Sequence, residues 1–287
     1  RRAPGVPEPG IYGNRLAGNP PIPPFTKGGL GGIFTSLLLV SVSEDQVSSR
    51  ESVSYGRLYG VGVGPGDPEL LTRKALRVLQ QVPVICVPQS ERSGQSYALQ
   101  IVQGFLDLAR QEVLRLPFPT DDAQGAAKTW RVATETIAAR LCRGQDVAFL
   151  TEGDPMLYGT FAYLLENMTA THPDLPLEII PGVSSITAAA ARAGIPLASP
   201  GQRLAILPAA YGIDDLREAT ANYDTVVLMK MNRALLQALA NPDQLGLAGK
   251  CVYVRRATTP REQVVWDLRQ LSWEKLDYFS LLILKRQ

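Results

Sequence analysis

The chain is predicted to be an α/β protein of two domains, the N-terminal one built on a mostly parallel sheet and the C-terminal one on a smaller mixed sheet. Three features point there. From Gly56 onward, short apolar runs alternate with stretches of helical period, the pattern of strands with helices on their faces. Several of those runs stop at a Gly-containing turn that opens at once into a helix. Such turns lie beyond the carboxyl ends of strands, where open α/β sheets bind ligands. Finally, IPLASPGQ (195–202) reads as a linker, after which the alternation restarts. The expected division is a disordered leader over 1–54, a first domain over 55–198 and a second over 199–287. A chain of 287 residues suffices for two modest cores.

Taken in order, residues 1–54 are crowded with proline and glycine in PGVPEPG and GNPPIPPFTKGGLGG, and carry no helical or strand period. Their one apolar piece, Ile33 to Val42, is about half of the roughly 20 residues that a membrane span needs. LYGVGVGPGD (58–67) begins as a strand through Leu58, Val61 and Val63 and ends in glycines, a proline and an acid. PELLTRKALRVLQQV (68–82) should be one helix, with Asp67 at the N-cap and Pro68 at the first helical position. Its apolar residues Leu71, Ala75, Val78, Leu79 and Val82 recur at helical spacing. VICV (84–87) is a buried strand closed by Pro88. A helix with Ala98, Ile101, Val102 and Phe105 on one face comes next, then the strand EVLRL (112–116), ended by Pro117. A long helix to about Arg143 carries Trp130, Ala133, Ile137 and Leu141, and DVAFL (146–150) is again a strand.

The loop TEGDPMLYGT (151–160) follows, then another helix and the strand LEII (177–180). A third loop, PGVSSITAAAARAG, opens an Ala-rich helix that Ser184 or Ser185 caps and Gly194 ends. Past the linker the elements are LAIL, a helix near Asp214 to Asn222, TVVLMK, a helix near Arg233 to Ala240, the turn region NPDQLGLAG, the strand CVYVRR, a third candidate strand QVVWDL, and the strand Tyr278 to Lys285.

Composition removes several classes of function. A net charge of +2 offers no clustered basic face for nucleic acid, and no stretch is long enough for a membrane helix. Cys86, Cys142 and Cys251 lie far apart without metal spacing, and Cys86 and Cys251 sit in apolar runs. Free buried thiols in a reducing cytoplasm are therefore expected. The single histidine, His172 in a THPD turn, leaves no set for a His-ligated metal. The first loop also fails the dinucleotide fingerprint. Counting from Gly60 the sixth position is Pro65, and from Gly62 it is Asp67, and no Lys-Ser or Lys-Thr makes a nucleotide phosphate loop.

GVGPGDPELLT, GDPMLY, IIPGVSS and VVLMK, in this order and spacing, resemble the tetrapyrrole (corrin/porphyrin) methylase family, from about Gly56 to the C-terminus. Within the family the chain is most similar to the branch that methylates C-20 of precorrin-2. That resemblance implies S-adenosylmethionine as methyl donor, no metal held by the protein, a tetrapyrrole substrate in a cleft between two domains, and a homodimer. It implies cofactor contacts at Pro65, Gly153, Asp154, Leu157, Ser184, Ser185 and Met229, and a tetrapyrrole bordered by Gly64, Gly66, Asp67 and Tyr158. Two positions depart from the family pattern. Gly159 stands where a Ser is common, and Ala257 where a Gly is common. Other substrates of the same fold are the alternatives: another precorrin, cobalt-factor II, uroporphyrinogen III, or a protein or RNA target. A non-catalytic tetrapyrrole-binding module is a further one.

Each candidate has a plainer structural role to set beside this one. A Gly-rich loop can be a tight turn and nothing more, Asp154 and the two serines can be helix caps, and Met229 can be core packing. Tyr158 can be a half-buried aromatic, and Arg255, Arg256 and Arg261 can be solvated surface rather than partners of substrate carboxylates. The inventory suits a reaction driven by positioning. Methyl transfer from a sulfonium to an electron-rich carbon needs alignment, which contributes about 7–11 kcal/mol in favourable cases, and at most one base to collect a proton.

Overall fold

The computed structural model describes residues 54–90, 96–118, 123–208, 213–230, 251–271 and 277–286. The leader with its Ile33 to Val42 run, the helix expected near Arg233 to Ala240 and the NPDQLGLAG turn lie outside the described residues.

The first sheet is built from β1 (Leu58–Gly62), β2 (Val84–Ser90), β3 (Glu112–Phe118), β4 (Val147–Thr151) and β5 (Leu177–Ile180). Their spatial order is β3-β2-β4-β1-β5 and every pairing is parallel. Alternate side chains of these strands face opposite layers. Val84, Cys86, Val147 and Phe149 pack under α3 (Ala123–Leu141) and α4 (Phe161–Thr171). Ile85, Val87, Ala148 and Leu150 pack under α1 (Arg73–Gln81) and α2 (Tyr97–Val102). Trp130, Ala133, Ile137 and Leu141 are buried as their spacing predicts. Gly60 has a packing reason: a Cβ there would lie 2.3 Å from the ring of Phe161.

The second sheet holds β6 (Leu204–Pro208), β7 (Thr225–Met229), β8 (Cys251–Arg255), β9 (Gln263–Val265) and β10 (Ser280–Lys285), in the order β6-β7-β10-β8-β9. β6 and β7 run parallel and the remaining pairs antiparallel, so the sheet is mixed. Leu216 and Ala219 of α6 (Ile213–Asn222) cover one face. The other face is covered by α5 (Ser185–Ala193), whose Ile186, Ala189 and Ala190 pack on Val227, Val252 and Ile283. Although α5 follows a strand of the first sheet, it buries its apolar side on the second, so its N-terminus stands where the two layers meet.

Several boundaries differ from the sequence expectation. Asp67 caps only a 3₁₀ turn, Pro68–Leu70, accepting from the amide of Glu69. The helix proper restarts at Arg73 because Thr72 supplies a second N-cap to Ala75 and Leu71 is extended. Pro88 and Pro117 do not end their strands; they face Leu116 and Gln89 within the β2–β3 ladder. Phe105 is exposed, because α2 stops at Val102 and gives way to a 3₁₀ turn containing Gly104. The QVVWDL stretch is a strand only over Gln263–Val265, and Trp266 is exposed. Cys86 and Cys251 are buried free thiols while Cys142 is exposed. No helix of the described residues is long and apolar enough to cross a membrane.

Candidate active site

β4, β1 and β5 are adjacent in the first sheet, and each delivers one of the three turns singled out from the sequence. The turns are bonded to one another. Gly64 and Gly153 form an isolated antiparallel bridge, with the Gly153 amide donating to the Gly64 carbonyl at 2.8 Å. The Val63 amide donates to the Thr151 carbonyl at 2.9 Å. Asp154 ties the second turn to the third: Oδ1 accepts from the Met156 amide at 2.9 Å, and Oδ2 from the Gly182 amide at 3.0 Å.

Glycine is obligatory where these backbones touch. A Cβ on Gly62 would lie 2.6 Å from the Gly182 nitrogen, and one on Gly182 would lie 2.1 Å from the Gly153 carbonyl oxygen. Gly153 also has φ +67, the left-handed region that favours glycine. The Gly153 turn faces the start of α5, where Ser184 is the N-cap and its hydroxyl accepts from the Ile186 amide. Gly194, at φ 66, ends that helix. The first turn of α5 presents amide donors without intrahelical partners. Leu157, from the second turn, and Met229, at the end of β7, pack against the same apolar cluster under α5. Pro65 is buried within the first turn. The structure thus brings Gly153 beside Ser184 and Ser185 and Asp154 onto Gly182, just before them, with Leu157 and Met229 against the apolar cluster of α5 and Pro65 next to the Gly64–Gly153 bridge.

The positions expected to border the tetrapyrrole lie along the seam between the sheets. Gly66 packs against the second half: a Cβ on it would lie 2.3 Å from Thr259 Cγ2 and 2.9 Å from the Tyr97 hydroxyl. The Asp67 amide donates to Thr258 Oγ1 at 3.1 Å. Tyr158 spans the seam, its hydroxyl donating to the Ile206 carbonyl at 3.1 Å and its own carbonyl accepting from Lys230 Nζ at 2.8 Å. Among the described residues four non-glycine positions have positive φ: Tyr158, Lys230, Arg256 and Thr258. All four sit on this seam. Left-handed backbone at bulky residues costs energy and concentrates at functional sites.

Gly159 and Ala257, the two positions at which the resemblance implies another residue, have a structural setting. A Cβ on Gly159 would lie 2.8 Å from Thr151 Cγ2 and 3.0 Å from the Pro155 carbonyl oxygen, so this turn is closed too tightly for a serine without a shift. Ala257 is buried, and its carbonyl lies beside Gly66.

Sequence reasoning passed over Glu152, inside the second turn. It is open to water yet walled by protein in the cleft, and that enclosure raises its pKa to about 7. The attraction of Lys230, a hydrogen bond from the Ala98 amide and the Arg256 charge all oppose the rise. Enclosure in turn lowers the pKa of Lys230, against the attraction of Glu152. Glu152 also helps to raise the pKa of both Tyr97 and Tyr278, after the larger effect of their burial. An acid at the C-terminal end of a strand, next to Gly153 and Asp154, was the available signal. The partners Lys230 and Arg256 come from the second sheet and could not be paired with it by spacing. His172 lies away from this site, as the cap after α4, with Nε2 3.2 Å from Glu135 Oε1. Among the described residues no group of three or more His, Cys, Asp or Glu side chains could hold a metal ion.

A parallel sheet whose neighbouring strand ends converge in glycine turns, bonded across a seam to a mixed sheet, defines a class of two-sheet α/β proteins. Residues 57–272 match the sequence model for Tetrapyrrole (Corrin/Porphyrin) Methylases, and the chain belongs to that family. It is 34% identical over 235 residues to a cobalt-precorrin-2 C(20)-methyltransferase of Salmonella typhimurium, covering 81% of this chain and 97% of the relative. It is 33% identical to a precorrin-2 C(20)-methyltransferase of a Sinorhizobium species, covering 80% and 96%. Among solved structures, the uroporphyrin-III C-methyltransferase of Thermus thermophilus complexed with S-adenosylhomocysteine is similar, with a TM-score of 0.58 and 27% identity, covering 80% and 97%.

Proposed function

We propose that the chain transfers a methyl group from S-adenosylmethionine to C-20 of precorrin-2, giving precorrin-3A in corrin-ring synthesis. The observation that carries this reading is the bonded triplet of turns at the ends of β1, β4 and β5, in a chain similar over most of its length to precorrin-2 C(20)-methyltransferases. The residues present fit the donor. Gly62 and Gly182 leave bare backbone where a Cβ would clash, Gly153 takes a left-handed φ, the first turn of α5 presents amides that have no helical carbonyl partner, and Leu157 and Met229 supply apolar surface.

When bound, S-adenosylmethionine supplies an electrophilic methyl group on a sulfonium. The chain's own residues have three tasks. The Gly64–Gly66 turn and the Tyr158–Lys230 contact hold the two sides of the seam in register, so that the ring carbon can be aligned with the donor. Closure of the second layer over the first limits water at the reacting atoms. Methylation of a ring carbon that carries hydrogen forms one C–C bond, breaks the methyl–sulfur bond, and releases one proton as the C–H electrons return to the ring. Glu152, with a pKa near neutrality in the cleft, is the group suited to accept that proton at a carboxylate oxygen.

The relatives' names differ on whether the macrocycle carries cobalt, and both forms are therefore assayed. Incubation with S-adenosylmethionine and precorrin-2, with and without cobalt, should yield a product heavier by one methyl in place of one hydrogen. Binding of the methyl donor with neither macrocycle altered would remove the substrate assignment.

A further inference from the structure

The turn between β8 and β9 does two things. Residues 257–259 touch the first glycine turn of the other layer. Pro260, Arg261 and Glu262, with Arg255, Arg256 and Asp277, line an open cavity of about 410 Å³. Three guanidinium groups and two carboxylates border it, and both carboxylates are already engaged. Asp277 pairs with Arg256. Glu262 accepts from Arg192 Nε, 2.8 Å from each oxygen, and from the Thr258 amide at 2.6 Å. Among the described residues Arg255 and Arg261 make no ion pair, and the buried Nε of Arg255 has no hydrogen-bond partner. Arg255 and Arg261 both line the cavity, and the planar fork of a guanidinium matches a carboxylate. The cavity also adjoins the seam. The Arg256 guanidinium lies 5.7 Å from the ring centroid of Tyr97, and the Tyr97 hydroxyl borders Gly66.

We propose that this cavity is a carboxylate subsite, which receives an acid side chain from the rim of the macrocycle through Arg255 and Arg261. The proposal rests on the tetrapyrrole reading above and deepens it by naming the group that recognises the substrate's periphery. The test is fluorescence titration of the whole chain with uroporphyrin I, which bears eight carboxylates. Citrate serves as a small free anion, and S-adenosylhomocysteine binding as a control for folding. Arg255→Gln and Arg261→Gln should each weaken uroporphyrin binding by about tenfold or more, as expected for loss of a charged hydrogen bond, with S-adenosylhomocysteine affinity unchanged. Arg255→Lys should recover part of the loss. Arg261 is exposed, so its substitution tests the subsite even where Arg255→Gln folds poorly. Unchanged uroporphyrin affinity in both variants overturns the proposal, as does a loss confined to citrate. Turnover of precorrin-2 by the unaltered chain decides the methyltransferase reading separately.

Discussion

The carboxylate of Asp154 lies 3.0 Å from the amide of Gly182 while its other oxygen accepts from Met156. One side chain thus fastens the turn after β4 to the turn after β5. Each oxygen holds a backbone amide of a different turn, so Asp154 shapes the site through the backbone it fastens.

Replacing Asp154 by Ala removes two hydrogen bonds to a charged acceptor and frees the Gly182 amide. A stability loss of about 2–3 kcal/mol is expected, together with weaker S-adenosylhomocysteine binding. Urea unfolding and calorimetry on the same preparation separate the two effects. A variant with unaltered unfolding midpoint and unaltered affinity would show that the two turns are held together by other contacts.

Gly182→Ala attacks the same junction sterically, because the new Cβ would meet the Gly153 carbonyl oxygen at 2.1 Å. Backbone on both sides leaves no flexible side chain to yield, and a loss of about 1–3 kcal/mol or more is expected, with the methyl donor bound poorly. Wild-type thermal stability and affinity in this variant would contradict the close approach of the two turns.

Glu152 links pH to both activity and stability. As proton acceptor it must be ionised, so turnover should rise with pH through about 7. Glu152→Gln should lower kcat by about 10²-fold or more and abolish that rise. For stability the sign is fixed by the raised pKa of the folded state: neutral Glu152 is favourable at low pH, and the contribution is lost as pH climbs through about 7. Glu152→Gln should therefore melt higher than the wild type at pH 8, with the advantage shrinking at pH 5. A pH profile of turnover superimposable on the wild type would remove Glu152 from the reaction.

Lys230 holds the Glu152 pKa down by charge attraction. Lys230→Met should move the rising limb of the turnover profile to higher pH. It also removes the contact to the Tyr158 carbonyl across the seam, so KM for the macrocycle should rise as well. A KM effect with an unmoved profile would leave Lys230 as a seam contact alone.

Gly159→Ser introduces the residue that the family resemblance implies there but places its Cβ against Thr151 and the Pro155 carbonyl. The expected result is a loss of about 1–3 kcal/mol with no gain in S-adenosylhomocysteine affinity. Tighter binding would mean that the turn opens readily and that the hydroxyl finds the ligand.

Much of this architecture could be read from local signals. The strands at Leu58, Val84, Glu112 and Val147 follow from apolar runs whose neighbours face opposite layers, and α5 is bracketed by Ser184 and Gly194 because capping chemistry acts within a few residues. The split after Leu70 escaped notice because Asp67 and Thr72 are both competent caps, and pattern alone does not rank two caps so close together. Pro88 and Pro117 misled for a different reason. A proline argues against a central strand only where its missing N–H or its ring disturbs the ladder, and that depends on a partner strand distant in sequence.

By itself the sequence determined the alternating elements, the glycine turns at strand ends and the family, because these are written in short-range pattern and motif. Only the tertiary structure decided that Asp154 reaches Gly182, that α5 buries its face on the second sheet, and that Glu152 meets Lys230 and Arg256. Those relations join residues tens of positions or more apart, and no local spacing encodes them. They arise when the apolar faces of two sheets are buried and the turns between them are brought within hydrogen-bond and charge range.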